Sequence, residues 1–351
     1  MTVTWAPSWP LIATKNLELR KRRGLIIVVA LLTVGPTVLI LGLRLIFHAV
    51  DPASYGPAGS PGIFQALANL MAEFGFLSAA ALGASAGTTD LSEGMFRHLV
   101  ITGRSRLALY LARIPAGLAI ILPLVAVAFT ALCLVTSYAG VPQPTSVSVG
   151  GVSVPEHFDQ AELQSWLLQH PRQAVNVVPL GPGPAPGVAQ IDSAIDQNIA
   201  TLYQDYVSNE VGGSNPAANE MAKIGLWLAL EVGIGFMVGL GLGSLTGQRT
   251  LTTITLIGLE IIVTPILASH VIPYFLDGQR LVVGLAMDQL RPAALAPGTG
   301  GGPGGPGRVL FGGRGALGIP PMPTWAMISV IVGWIVGWSV IGAWRMITRD
   351  A

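Results

Sequence analysis

Apolar residues gather in six runs, at about 24–49, 63–88, 107–136, 224–246, 250–274 and 325–346. Each approaches or exceeds the roughly 20 residues that a helix needs to cross the hydrocarbon of a bilayer. The runs predict an all-α integral membrane protein with six transmembrane helices. One polar interval between them carries a pattern of its own. In TTDLSEGMFRHLVITGRSR, Thr88 to Arg106, a helix begun at Asp90 puts Leu91, Met95, Phe96, Leu99 and Val100 on one side. Asp90, Glu93, Gly94 and Arg97 fall on the other. Asp90 can cap the first turn, Glu93 stands where a capping-box carboxylate stands, and Glu93 and Arg97 are four apart. The expected element is an amphipathic helix at 90–102, lying on the membrane surface and pressed by something outside the membrane.

An even number of spans puts both termini on one side. Lys15, Arg20, Lys21, Arg22 and Arg23 precede the first span and mark that side as cytoplasmic by the positive-inside rule. Arg97, Arg104, Arg106, Arg249, Arg345 and Arg349 fall on the same side. The opposite loops hold no Lys or Arg between the first two spans and only Arg172 well within 137–222. Arg280, Arg291, Arg308 and Arg314 run against the bias, which acts mainly near span ends and in short loops. No cleavable signal peptide is expected, because the first apolar run is long enough to span and follows a long tail without a clear small-residue cleavage site.

Composition sharpens this picture. With 51% hydrophobic and 11% charged residues the 351-residue chain is too apolar for an ordinary soluble domain. A net charge of +1, its cations in small groups beside apolar runs, gives no basic face for nucleic acid. Cys133, the single cysteine, lies in an apolar run, which excludes an intrachain disulfide and makes core packing its expected role.

Four regions follow: a cytoplasmic tail and first helix at 1–23; spans one to three at 24–136, including 90–102; an external insert at 137–222; and spans four to six at 223–351. The insert carries eight acidic residues, Glu156, Asp159, Glu162, Asp192, Asp196, Asp205, Glu210 and Glu220. A solvated surface accounts for them, and attraction of cationic substrates is the alternative. VSVGGVSV alternates as a short hairpin does, Asp159 with Glu162 can open a helix through LQSWLLQH, and a second helix is expected from about 188 to 210. In the other external loop, 276–324, a surface helix from about 279 to 290 ends before Pro292, and a flexible Gly/Pro-rich linker follows.

Candidate chemistry is sparse. The Gly-rich run contains no Lys, so it is not a phosphate-binding loop. His48, His98, His157, His170 and His270 lack ligand-like spacing, and no metal site is expected. Gly83–Ala84–Ser85–Ala86–Gly87 matches GxSxG, but it ends a span where a hydrolase needs a strand-to-helix turn. His270, near the opposite end of the fifth span, stands too far from Ser85 for a dyad. Close helix packing explains the small residues better.

Charged residues inside spans are costly and therefore candidates. These are Glu73, Glu231 and Glu260, with Arg44 near the outer end of the first span. Glu231 shares a four-residue spacing with Gly235, Gly239 and Gly243, a face suited to close contact with another helix. Glu73 shares one with Asn69, Ala80 and Ala84. A buried pair of Arg44 with Glu231 or Glu73 is the structural explanation; a substrate-facing or proton-carrying role is the functional one. Gly333 and Gly337 form a further packing motif beside Trp334 and Trp338, while Trp325 and Trp344 read as interface anchors.

Several of these features together resemble the permease subunits of type-2 ABC (ABC-2) exporters, particularly the branch associated with multi-copper enzyme maturation and antibiotic export. They are WPLIATKNLELRKRR before the first span, six spans with both ends inside, AGTTDLSEGMFRHLVITGRSRLALYLARIPAG leading into the third span, and an external helix before the sixth. The resemblance covers most of the chain except about 140–222, an insert usually short in that family. It implies a connecting or elbow helix at the N-terminus and a coupling helix at 90–102, seated in a cleft of a separate ATPase subunit. By position, Glu93, Gly94, Arg97 and His98 would contact that subunit, Asp90 would open the helix, and Arg104 and Arg106 would set the cytoplasmic border of the third span. The implied working unit is two permeases, as a homo- or heterodimer in the cell membrane, with two ATPases that carry ATP and Mg. The chain itself would be non-catalytic. A proton-coupled secondary transporter using the intramembrane glutamates is the alternative, and a non-transporting membrane sensor or anchor is a third.

Overall fold

The computed structural model describes residues 7–52, 55, 57–92, 105–139, 146–149, 152–155, 158–174, 188–213, 215–258, 280–295 and 322–348. Within them the protein is all-α apart from one two-stranded ribbon. Five helices are long and apolar enough to cross a bilayer: α2 (Arg23–Val50), α3 (Pro61–Ser92), α4 (Arg106–Tyr138), α8 (Ala218–Thr246) and α11 (Thr324–Thr348). They make this a multi-pass membrane protein. Of the expected fifth span, α9 (Arg249–Gly258) is described, and 259–279, with Glu260 and His270, lies outside the described residues.

Helices α3 and α8 form the centre, sharing the most extensive interface in the bundle. Their small residues make this possible, since packing between membrane helices depends on close backbone approach. A methyl placed on Gly235 would stand 2.6 Å from the carbonyl oxygen of Phe76, and one on Gly243 2.6 Å from that of Ala84; Gly239 meets the Ala80 carbonyl between them. From the other side, Gly83 lies against Phe236 and Leu240, and Gly87 against Leu240 and Ser244. Partners rise together along both chains, so the two helices run parallel. The glycine pattern of α8 and the GASAG run of α3 thus meet at backbone level. Ser85 is fully buried there.

The other helices surround this pair. Helix α2 buries Val29, Thr33, Thr37 and Leu41, a stripe at four-residue spacing, and leaves large apolar residues such as Leu31 and Leu39 exposed, as a lipid-facing helix does. The Thr33 and Ser78 hydroxyls are 2.8 Å apart across the α2–α3 contact. Helix α11 meets α8 where Gly241 lies under the Trp338 carbonyl, and α4 where Gly342 lies under the Tyr110 hydroxyl. Gly333 and Gly337, read as a packing motif, meet nothing within 4 Å among the described residues. Trp325 and Trp344 are exposed at opposite ends of α11, as anchors at two interfaces would be.

Helix α1 (Trp9–Lys21) lies along the first turns of α4. Leu11 packs in a small cluster with Ala108, Leu109 and Ala112. Asn16 Nδ2 donates to the Ala116 carbonyl at 2.8 Å, and Lys15, largely buried, pairs with Glu18 at 2.9 Å. The polar face of this helix therefore contributes contacts to the bundle.

At the opposite end of the bundle two structures cover the helices. The insert folds around its own core. Strands β1 (Ser146–Val149) and β2 (Val152–Pro155) pair antiparallel, α5 (Gln160–Gln169) follows, then the single turn α6 (Pro171–Ala174) and α7 (Val188–Gly213). Asp159 and Glu162 complete a reciprocal capping box at the start of α5. Ile191, Ile195, Ile199, Leu202 and Tyr206 of α7 pack on Val154, Leu163 and Leu167. The Tyr206 hydroxyl donates to the Pro155 carbonyl at 2.8 Å and accepts from the Phe158 N–H at 3.1 Å.

The second structure is the segment Arg280–Leu295, containing α10 (Val283–Gln289) and the 3-10 turn Ala293–Leu295. Helix α10 falls within the expected surface helix, with Pro292 just beyond it. Trp227 Nε1 donates to the Met287 carbonyl at 3.1 Å, Trp334 Nε1 to that of Leu281 at 2.7 Å, and the Arg291 guanidinium lies 5.4 Å above the Trp227 ring. Two tryptophans thus fasten this segment to α8 and α11.

Candidate functional site

The junction between α3 and α4 corrects one expectation. Helix α3 does not stop at the small-residue run; it continues unbroken to Ser92. The Thr88 hydroxyl donates to the Ala84 carbonyl at 3.0 Å and the Thr89 hydroxyl to the Ser85 carbonyl at 2.6 Å. Bonded back to the preceding turn, these side chains let the helix pass through a polar stretch. Asp90 is consequently inside the backbone of α3 and does not open a new helix. Glu93, Gly94, Arg97, His98 and Arg104 lie outside the described residues.

On the far side of that segment α4 begins with a conventional cap: Ser105 Oγ accepts from the Ala108 N–H at 3.1 Å. One face of α4 then carries Arg106, Tyr110 and Arg113, spaced four and three apart, which places them on one stripe. Arg106 Nη1 donates to the Ile347 carbonyl at 2.8 Å, closing the last turn of α11. The Tyr110 ring lies against Gly342 of the same helix. Arg113 is 2% exposed, and its Nη1 donates to the Gly87 carbonyl at 3.2 Å. Sequence reasoning passed over Arg113. Its signal was a charged residue about two turns inside an apolar run, the same criterion that selected the glutamates.

A second group of candidates lies deeper. The α3–α8 register pairs Phe76 with Gly235 and Ala80 with Gly239. One further turn sets Glu231 at the level of Ala72, next to Glu73. Both carboxylate residues are half-buried. Four-residue spacing had placed them on contact faces of their helices, and the register sets them at one depth on neighbouring helices. Arg44 does not join them: no ion pair links it to Glu73 or Glu231 among the described residues. It sits half-buried six residues before the end of α2.

Among the described residues no group of three or more His, Cys, Asp or Glu is placed to hold a metal ion. Cys133 is free and half-buried on α4. No family model, curated protein or solved structure matches the chain.

Proposed function

We propose that this chain is the membrane-spanning permease subunit of an ATP-driven ABC-2 type exporter, coupled to a separate ATPase through the segment around 90–102. The observation that carries the reading is the layout of one end of the bundle. There α1 lies along α4, and the polar segment 93–104 joins two helices that are tied to each other by Arg113, one of which rests on α8 through Gly87. A segment in that position passes a push from a soluble partner into the middle of the membrane domain.

In this reading both termini and 90–102 face the cytoplasm, in line with the cations flanking the spans. Asp90, Glu93, Gly94, Arg97, His98 and Arg104 serve the ATPase contact. The chain carries out no bond chemistry, and ATP with Mg is held by the partner. ATP-driven closure of two ATPases moves the coupling segments and opens a path between two permeases. Replacing Glu93 and Arg97 together by alanine should leave membrane insertion intact and abolish co-elution of an ATP-hydrolysing subunit in mild detergent. Undiminished co-elution and export in that variant would refute the assignment.

The matched depth of Glu73 and Glu231 favours one rival, a proton-coupled transporter without an ATPase. Export that stops when the proton gradient is collapsed, with ATP still high, selects it.

A further inference from the structure

We propose that Arg113 is a positioning residue that clamps the two stems of the 93–104 segment together, so that α3 and α4 receive any displacement of that segment as one unit. Four observations carry this. Arg113 is the largest of the fully buried side chains, in a region where an arginine is expensive unless its donors are used. Its Nη1 reaches the Gly87 carbonyl, 26 residues away along the chain and on the opposite stem. The tie lies close behind the mouth of the segment: Arg113 is eight residues into α4 from its cap at Ser105, and Gly87 five residues before the end of α3. At 1.5 Å per residue these depths are about 12 and 8 Å, which sets the clamp about one and a half to two turns in from the helix ends.

The fourth observation is what else Gly87 touches. A methyl there would stand 2.7 Å from the Leu240 carbonyl oxygen and 2.8 Å from the Ser244 nitrogen, so its α-carbon rests on the backbone of α8. One residue thus offers its carbonyl to α4 and its bare α-carbon to α8. A guanidinium suits this task because it is always charged and presents several donors in a rigid fork. Without the clamp a push on the segment can splay α3 from α4 and dissipate at the stems. With it, the same push must move α3, α4 and α8 together.

The meaning of the clamp as a coupling device rests on the proposed function, but its existence is testable on the chain alone. Nitroxide labels at positions 92 and 107, in a Cys133→Ala background and in lipid nanodiscs, report the separation of the stems by pulsed dipolar spectroscopy. A narrow distance distribution is expected for the parent. Arg113→Gln should broaden it at least twofold, and Arg113→Lys, which keeps a charge and a point donor, should fall between the two. Arg106→Gln, which removes the tie to Ile347 and keeps Arg113, should leave it unchanged. An unaltered distribution in Arg113→Gln overturns the proposal. If that variant does not insert, Arg113→Lys decides: no broadening relative to the parent overturns it equally.

A second measurement separates clamp from coupling. Arg113→Gln should retain the co-eluting ATP-hydrolysing subunit while losing export at least tenfold, the reverse of the Glu93/Arg97 variant in partner binding. Full export by Arg113→Gln overturns the role in transmission. Failure of the parent itself to bring down any such subunit refutes the proposed function and leaves the clamp to the distance measurement.

Discussion

Replacing Gly239 and Gly337 by alanine, one at a time, tests whether backbone-level contact between α3 and α8 holds the bundle together. Both are mid-helix glycines, so each substitution gains about 0.8–1 kcal/mol of helix propensity. They differ in what the new methyl meets. At Gly337 it meets nothing within 4 Å among the described residues. At Gly239 it meets the carbonyl oxygen of Ala80, with the carbonyl carbon at 2.7 Å and the α-carbon at 2.8 Å. Comfortable carbon–carbon separations are about 3.5–4.0 Å, and backbone atoms cannot rotate aside as a side chain could. The helices must part locally by about 1 Å. A gap of that size forfeits about a quarter to a half of the dispersion energy of each contact it opens. Overpacking of this kind typically costs about 1–3 kcal/mol.

Because the propensity gain is common to both sites, the difference in stability between the two variants isolates the packing cost, expected at about 1–3 kcal/mol in favour of Gly337→Ala. Reversible unfolding of monomeric protein in mixed micelles, followed by tryptophan fluorescence, measures it. Valine in place of alanine should widen the gap, since two more methyl groups must fit against the same carbonyl. Equal stability of Gly239→Ala and Gly337→Ala refutes the argument, for it would mean that the two helices are not in backbone contact at Ala80.

Two further outcomes are expected. A double-mutant cycle of Thr33→Val and Ser78→Ala should show a coupling energy of about 0.6 kcal/mol, the average for a hydrogen bond between membrane helices, measured by the same unfolding assay. Tyr206→Phe should destabilise the insert by about 1–3 kcal/mol, because the Pro155 carbonyl and the Phe158 N–H lose a shared partner. Limited proteolysis should then cut faster within 140–222 while the unfolding of the bundle is unchanged.

The parts of this molecule that could be read from residue order are those where one physical demand acts on neighbouring residues. Crossing a bilayer requires a continuous apolar run, and the described spans fall where the runs are. The capping box of Asp159 and Glu162 and the alternation of the hairpin are equally local, and both are found. The four-residue spacing of Glu231, Gly235, Gly239 and Gly243 gave the contact face of α8, although not the helix it would meet. One reading failed and one residue was missed because the deciding partner is backbone. The local pattern predicts a helix begun at Asp90, yet the Thr88 and Thr89 hydroxyls return to the carbonyls of the previous turn and α3 continues to Ser92. Arg113 takes a carbonyl at Gly87 as partner, and a carbonyl is a group every residue carries, so no motif marks it.

These contacts also constrain where the protein can move. Helices α3 and α8 interlock through Gly83, Gly87, Gly235, Gly239 and Gly243, and α11 joins α8 through Gly241, all at backbone range, while Gly342 of α11 takes the Tyr110 side chain of α4. Arg113 adds α4 to the same body. Sliding any of these past its neighbour must first separate backbones, and packed interfaces of that kind switch between discrete arrangements more readily than they shear. Helix α2 is different. It buries only four residues, and its polar tie to α3 is a pair of short hydroxyls that can exchange partners within their own helices: Thr33 also donates to the Val29 carbonyl and Ser78 to that of Gly75. A push delivered between α3 and α4 would act on this central body, while the hydroxyl pair between α2 and α3 is a tie that such a movement can break and remake. Under the proposed function the glycine pairs at the centre keep the moving part rigid.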